Sequence, residues 1–312
     1  MTKENESQKP FIKRFYQYQK ERFSFFQNGL MIAAFTFSAA SFSRICRHED
    51  SFIPIDLFII GVITSFLFFF LLRIFDEFKD YEKDSKYQPY RAVPRGLISL
   101  KELGKVALIV IILQIALNAI FMPVMLLSYL IVMIYMSLMT KEFFVKSWLN
   151  KRPIIYMWSH MLIMPLIDFY TTGLDWLNAR VYPPDGLIYF LAVTFFNGII
   201  IEFGRKIRAK EAEEVGVDTY SSLYGPVKAS IIWLVILLVT FCFALKASHS
   251  ANFGFIGYSC LTIIALICST PAFVFIKNQT QKNAKRIELA AAIWTICMYL
   301  TLGGVPMLIN LL

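Results

Sequence analysis

The chain has 312 residues, of which 57% are hydrophobic and 17% are charged, and it carries a formal net charge of +9. A soluble globular domain has about half apolar and about a quarter charged residues, so this composition excludes an ordinary soluble protein. It predicts an all-α polytopic membrane protein. We expect the excess of basic residues to orient the loops, not to bind nucleic acid.

Nine apolar runs approach the roughly 20 residues needed to cross the hydrocarbon core. Between the third and fourth runs only Asn118 and Pro123 interrupt the apolar sequence, so a helical hairpin is inferred there. The predicted spans are residues 23–43, 54–72, 106–121, 122–139, 154–170, 187–201, 229–245, 253–275 and 289–312. We therefore expect a single transmembrane domain over residues 23–312, with a basic segment at 1–22 and long charged loops at 73–105 and 202–228.

The distribution of Lys and Arg predicts a cytoplasmic N-terminus. In this orientation 27 of the 31 basic residues lie on the inside, and only Arg44, Arg47, Arg180 and Lys246 lie outside. Cytoplasmic loops of membrane proteins carry this excess. The N-terminal segment lacks a small-residue cleavage site, so we expect it to be retained with its basic residues facing membrane lipids. These features predict an integral protein of a bacterial inner membrane.

The first charged loop begins with aspartates at i, i+4 and i+8, namely Asp76, Asp80 and Asp84. On a helix continuing from the second span they share one face, where like charges repel. Mg²⁺ takes one or two protein carboxylates and completes its shell with water and substrate phosphate oxygens. The run therefore predicts a site for a Mg²⁺-bound diphosphate. The alternative is a solvated helix end balanced by neighbouring lysines.

Bases that follow the aspartates favour the diphosphate site, because a polyanion needs both metal and cationic donors. They are Lys86, Arg91 and Arg95, in a stretch punctuated by proline.

At these residues the chain resembles the UbiA-type intramembrane prenyltransferases, whose first signature is an NxxxDxxxD helix followed by proline, arginine and a later glycine. Asp76 stands in place of the asparagine, and it keeps oxygen ligation while adding charge. The resemblance implies nine helices in two related halves, Mg²⁺, and an isoprenyl diphosphate as substrate. The remaining matching positions are Asp80, Asp84, Pro89, Arg91 and Gly96.

The second charged loop matches the family only at its end, where residues 216–225 resemble the small-residue stretch closing in glycine. The family's DxxxD is absent, and basic residues occupy its spacing. Glu202 closes the sixth span and is the acid expected to bind metal. Arg205 and Lys206 would then bind the diphosphate, unless the group is only a positive-inside cluster paired with glutamates.

Polar residues within or near spans are further candidates, because ionisable or polar groups at membrane depth are often functional. We expect Arg22, Asn28 and Asn197 to contribute to the substrate pocket. His160 and Asp168 in the fifth span are weaker candidates, since either can lie at an interface.

Together these features predict Mg²⁺-dependent ionisation of an isoprenyl diphosphate, followed by prenyl transfer to a lipophilic or aromatic acceptor. One alternative is the terpene-cyclase branch of the same superfamily, which closes the chain on itself without an acceptor. Another is a cation-coupled transporter, but transporter sites usually lie near the midplane. Here the acids cluster at a span end.

Overall fold

The computed structural model describes residues 8–312, and the described part of the chain is helical without a strand. Eight helical segments are long and apolar enough to cross a membrane, which agrees with an all-α polytopic protein and makes the predicted nine approximate. They are Phe25–Cys46, Ile55–Tyr87, Leu100–Phe121, Pro123–Thr140, Leu187–Arg205, Pro226–Ser250, Gly254–Lys277 and Gln281–Leu311.

The fifth predicted span is the exception, because two consecutive helices form it: Pro153–Met161 and Ile163–Trp176. The break at Leu162 has a local cause. Pro165 has no backbone N–H to donate to the carbonyl of Met161, four residues earlier, and its ring crowds that carbonyl. Neither helix alone reaches the length of a span.

The chain folds into two compact units, which are described separately. The first contains Ile55–Lys151 together with the chain up to Thr36. Its helices are α1 (Phe11–Arg22), the first part of α2 (Phe25–Cys46), α3 (Ile55–Tyr87), α4 (Leu100–Phe121), α5 (Leu126–Thr140) and α6 (Lys146–Asn150).

Within the first unit, α3 packs on α4 through buried polar contacts as well as apolar ones. The Gln114 side chain donates to the carbonyl of Thr64 at 2.9 Å, and Asn118 donates to the Thr64 hydroxyl at 3.4 Å. A capping box of Ser99 and Glu102 starts α4, and Pro123 begins a short 3₁₀ turn after it ends. The interruption inferred between the third and fourth spans is therefore present in the secondary structure.

The second unit contains Phe37–Pro54 and Arg152–Leu312. A buried polar cluster connects the end of α2 to the rest of this unit. Asp175 accepts from Ser43 at 2.7 Å and from Arg47 at 2.6 Å. Its helices after α2 are α7 (Pro153–Met161), α8 (Ile163–Trp176), α9 (Leu187–Arg205), α10 (Tyr220–Tyr224), α11 (Pro226–Ser250), α12 (Gly254–Lys277), α13 (Gln281–Tyr299) and, after a π-helical turn at Leu300–Gly304, α14 (Val305–Leu311).

Candidate functional site

Helix α3 is longer than a bilayer requires, and its polar end carries the three aspartates. Its 33 residues span about 50 Å at a rise of about 1.5 Å per residue, whereas the hydrocarbon core is about 30 Å thick. The helix is continuous through Asp76, Asp80 and Asp84. Because the spacing of four residues advances each by only about 40° around the axis, the three carboxylates share one face, as the sequence predicts.

The three carboxylates differ in their partners. Asp76 forms an ion pair with Lys79 at 3.3 Å, and the buried Asp84 accepts from Arg91 at 2.6 Å. Within residues 8–312, Asp80 forms no hydrogen bond or ion pair, although the positive charges of Lys79 and Arg73 and the negative charges of Asp76 and Asp84 act on it. Of the three carboxylates, the central one is therefore the one without a direct ion-pair partner in the described chain.

The bases after α3 are held in different ways. Arg91 lies against Asp84, within the aspartate face. Arg95 donates to both carboxylate oxygens of Glu21 at 2.9 and 2.8 Å, so in this structure it is bound to α1. The Lys86 ammonium lies 5.0 Å from the centroid of the Tyr87 ring. Of the three predicted bases, Arg91 forms an ion pair with an aspartate of α3.

Glu77 is a charged residue of this region that the sequence motifs do not single out. It is buried, and it accepts from Arg22 at 2.7 Å and pairs with Arg73 at 3.2 Å. Arg22, predicted to bind substrate, is thus engaged with a carboxylate on α3. The pairing with Arg73 was readable from the i, i+4 spacing, but Arg22 lies 55 positions away and leaves no such pattern.

The two predicted asparagines lie in different units. Asn28 donates to the carbonyl of Ser24, one turn earlier, at 2.9 Å. Asn197 is buried in α9 and accepts from the indole N–H of Trp294 at 3.0 Å. The amide nitrogen of Asn197 is also buried and has no hydrogen-bond partner within the described residues. Asn197 thus retains an unused donor, whereas the contact seen for Asn28 is local.

In the second charged loop, Glu202 is neutralised by bases of its own chain segment. Its carboxylate accepts from Arg205 at 2.5 Å and pairs with Lys206 at 2.9 Å. The Lys206 ammonium also lies 5.7 Å from the centroid of the Tyr220 ring. Where the family has two acids, this chain therefore has one acid, Glu202, paired with two bases, Arg205 and Lys206.

His160 and Asp168 are both buried in the second unit. The imidazole Nδ1 of His160 lies 2.8 Å from the carbonyl oxygen of Tyr156, and the two rings stack. The hydroxyls of Tyr299 and Thr171 donate to the Asp168 carboxylate. Both side chains have partners within their own unit, as buried polar groups generally do.

A divalent cation fits the donor chemistry of α3. Mg²⁺ needs only one or two protein carboxylates, and Asp76 and Asp80 supply oxygen ligands on one face. Within residues 8–312, no three His, Cys, Asp or Glu side chains converge as ligands around one point. The arrangement therefore suits a hydrated ion completed by a phosphate ligand, and Asp84 would join it only by sharing or releasing Arg91.

Comparison with known proteins agrees with this architecture. A solved structure described as a digeranylgeranylglyceryl phosphate synthase in membranes aligns with a TM-score of 0.64, covering 94% of this chain and 99% of that chain. The sequence identity is 14%, so the likeness concerns the fold. No curated protein sequence matches the chain. The model of the UbiA prenyltransferase family matches residues 33–301, most of the length. The chain belongs to the UbiA prenyltransferase family.

Proposed function

We propose that this UbiA-type prenyltransferase ionises an isoprenyl diphosphate with Mg²⁺ and transfers the prenyl group to a lipophilic or aromatic acceptor. We place it in a bacterial inner membrane with the N-terminus in the cytoplasm. The carrying observation is Asp80, a carboxylate without an ion-pair partner in the described chain, set between two other aspartates on one helix face. Membership of the family supports a prenyl diphosphate substrate in the membrane.

The chemical problem is the charge that builds up on the leaving group. The bond between C1 of the prenyl chain and the diphosphate oxygen breaks, and its electron pair leaves with the diphosphate. Mg²⁺, when bound, neutralises that charge as a Lewis acid. Asp76 and Asp80 would hold the ion, with Asp84 as a further ligand. The acceptor then bonds to C1 and loses a proton.

The bases of the first unit would bind the diphosphate oxygens. Arg91 is already positioned by Asp84, and a guanidinium has five N–H donors, so it can contact a substrate without leaving that carboxylate. Arg95 would exchange Glu21 for the substrate, and Lys86 would supply a third positive charge. Preorganised donors of this kind stabilise developing negative charge most strongly where water is excluded. We propose that Arg22 positions α3 through Glu77.

In the second unit we propose that Arg205 and Lys206 bind diphosphate oxygens. Glu202 would either bind metal or hold these two bases in place, and the difference is testable. If Glu202 is a ligand, Glu202→Gln raises the Mg²⁺ concentration needed for half-maximal activity. If it holds the bases, the same change raises KM for the prenyl diphosphate at saturating Mg²⁺. We propose that Asn28 and Asn197 each contribute to substrate binding.

The central test compares Asp80→Asn with Glu82→Gln, a neutralisation of an exposed acid on the same helix. Purified protein in liposomes receives geranyl, farnesyl or geranylgeranyl diphosphate, Mg²⁺ and a panel of lipophilic acceptors. We expect Asp80→Asn to lower diphosphate release by on the order of 100-fold with unchanged thermal stability, and EDTA to abolish turnover until Mg²⁺ is restored. Full turnover by a folded Asp80→Asn variant would show that the aspartate face is only a solvated surface.

The fate of the prenyl cation is tested separately by omitting the acceptor. Transfer predicts no cyclic product under that condition, because only an added nucleophile completes the reaction. A single cyclic terpene, identified by extraction and mass spectrometry, would replace transfer with cyclisation.

A further inference from the structure

Helix α1 has one face fixed against the first unit. Tyr18 at the centre of this face is fully buried. On either side of it, Arg14 pairs with Glu102 at 2.6 Å, and Arg22 pairs with the buried Glu77 at 2.7 Å. Because these contacts lie at both ends of the helix, they fix its rotation about its own axis. The residues on its opposite face are therefore determined.

The opposite face carries lysines. At about 100° per residue, Lys13 and Lys20 fall within about 20° of each other and lie opposite Tyr18, and Lys9 stands two residues before the helix begins. Within the described chain these three lysine side chains form no hydrogen bond or ion pair. Beside them, on one edge only, lie two exposed apolar side chains, Ile12 with 79% and Tyr16 with 65% exposure.

Of the two edges of the exposed face, the apolar edge is the one nearer to Phe15, which contacts the membrane spans. The Phe15 ring, next to Ile12 around the helix, lies 6.1 Å from the ring of Phe25 and 6.2 Å from that of Phe70, measured between centroids. Phe25 is the first residue of α2, and two residues join α1 to it. This places α1 at the level where a span enters the bilayer, with Ile12 toward the apolar helices and Tyr16 between Ile12 and Lys20 around the helix.

We propose that α1 lies in the membrane interface, with Ile12 and Tyr16 inserted among the lipids and Lys9, Lys13 and Lys20 bound to anionic phospholipid headgroups. A basic polar face beside an apolar edge is the pattern of interfacial helices. Each lysine near an anionic surface changes partitioning by about fivefold. These residues lie outside the proposed catalytic site.

The first test measures lipid selectivity of the full-length protein without altering its cysteines. The protein is reconstituted in phosphatidylcholine, and its affinity for spin-labelled phosphatidylglycerol is compared with that for spin-labelled phosphatidylcholine by electron paramagnetic resonance. We expect Lys9→Gln/Lys13→Gln/Lys20→Gln to lower the preference for phosphatidylglycerol by at least about fivefold, the effect of one such lysine. The matched control removes three exposed lysines elsewhere, Lys210→Gln/Lys282→Gln/Lys285→Gln, and should change the preference much less.

The second test measures depth. Spin labels are placed at Ile12→Cys and at Gln17→Cys, on opposite edges of the exposed face, in a variant whose five native cysteines are replaced. We expect the label at 12 to be accessible to oxygen in the lipid phase and the label at 17 to an aqueous nickel complex. Equal aqueous accessibility at both positions, or a control triple variant that loses as much lipid preference as the first, would overturn the proposal.

Discussion

The substitution Gly303→Ala tests a close helix approach in the second unit. Gly303 lies in the π-helical turn after α13, against the backbone of α2. A Cβ added there would lie 1.9 Å from the carbonyl oxygen of Ser38 and 2.8 Å from the backbone nitrogen of Phe42. Neither obstacle is a flexible side chain. The two backbones would therefore have to move apart.

The cost follows from that geometry. A carbon beside a carbonyl oxygen needs about 3.3 Å, so the segments would separate by more than about 1 Å locally and lose part of their dispersion contacts. Overpacking of this kind lowers the free energy of unfolding by about 1–3 kcal/mol. We expect a value at the upper end, because the added Cβ meets backbone atoms that cannot move aside as a side chain can. The higher helix propensity of alanine offsets up to about 1 kcal/mol of this loss in stability. The net loss is then about 2 kcal/mol.

The assay is thermal unfolding of the purified protein in detergent and lipid, at one scan rate because membrane proteins often unfold irreversibly. We expect Gly303→Ala to lower the apparent Tm by about 4–8 °C. The control is Gly104→Ala, where the added Cβ would meet only the Phe78 ring at 3.6 Å, an ordinary contact. If Gly303→Ala unfolds at the wild-type temperature, α2 and the π-helical turn are not in backbone contact.

Charged residues provide three further predictions. In a cysteine-free background, we expect Ser85→Cys to be protected from an impermeant thiol reagent in intact cells and Asn252→Cys to react. The reason is that the orientation with 27 of the 31 basic residues inside also places residue 85 inside and residue 252 outside. Strong labelling at residue 85 would reverse the topology. Glu77→Gln leaves two arginines without their shared buried carboxylate and should cost about 2–4 kcal/mol in thermal unfolding, whereas Glu82→Gln on the exposed face should change it by less than about 0.5 kcal/mol. The hydrogen bonds from Arg95 lower the pKa of Glu21, so its ion pair stabilises the fold above the ordinary glutamate pKa and loses this effect as the pH falls through the lowered value. Glu21→Gln should therefore reduce Tm slightly at neutral pH, and the difference from wild type should shrink as the pH falls below the ordinary glutamate pKa; a difference that stays constant as the pH falls would contradict this origin.

Local sequence was sufficient for the spans and for the aspartate face. Crossing a bilayer requires a continuous apolar run, and helical hydrogen bonds join residues only four positions apart, so both features can be read along the chain. The spacing of Asp76, Asp80 and Asp84 on one helix is of this kind. The break of the fifth span is equally local, because Pro165 causes it; hydropathy alone does not show it.

Only the tertiary structure shows which charged side chains are neutralised by ion pairs with other side chains. Glu77 and Asp80 lie in the same acidic run, yet one is buried between two arginines while the other has no ion-pair partner in the described chain. Arg22 and Glu77 meet from positions 55 residues apart, and the close approach of Gly303 to Ser38 joins residues still more distant. Such pairings have no sequence period, because they depend on how separate helices pack and on which carboxylates that packing removes from water.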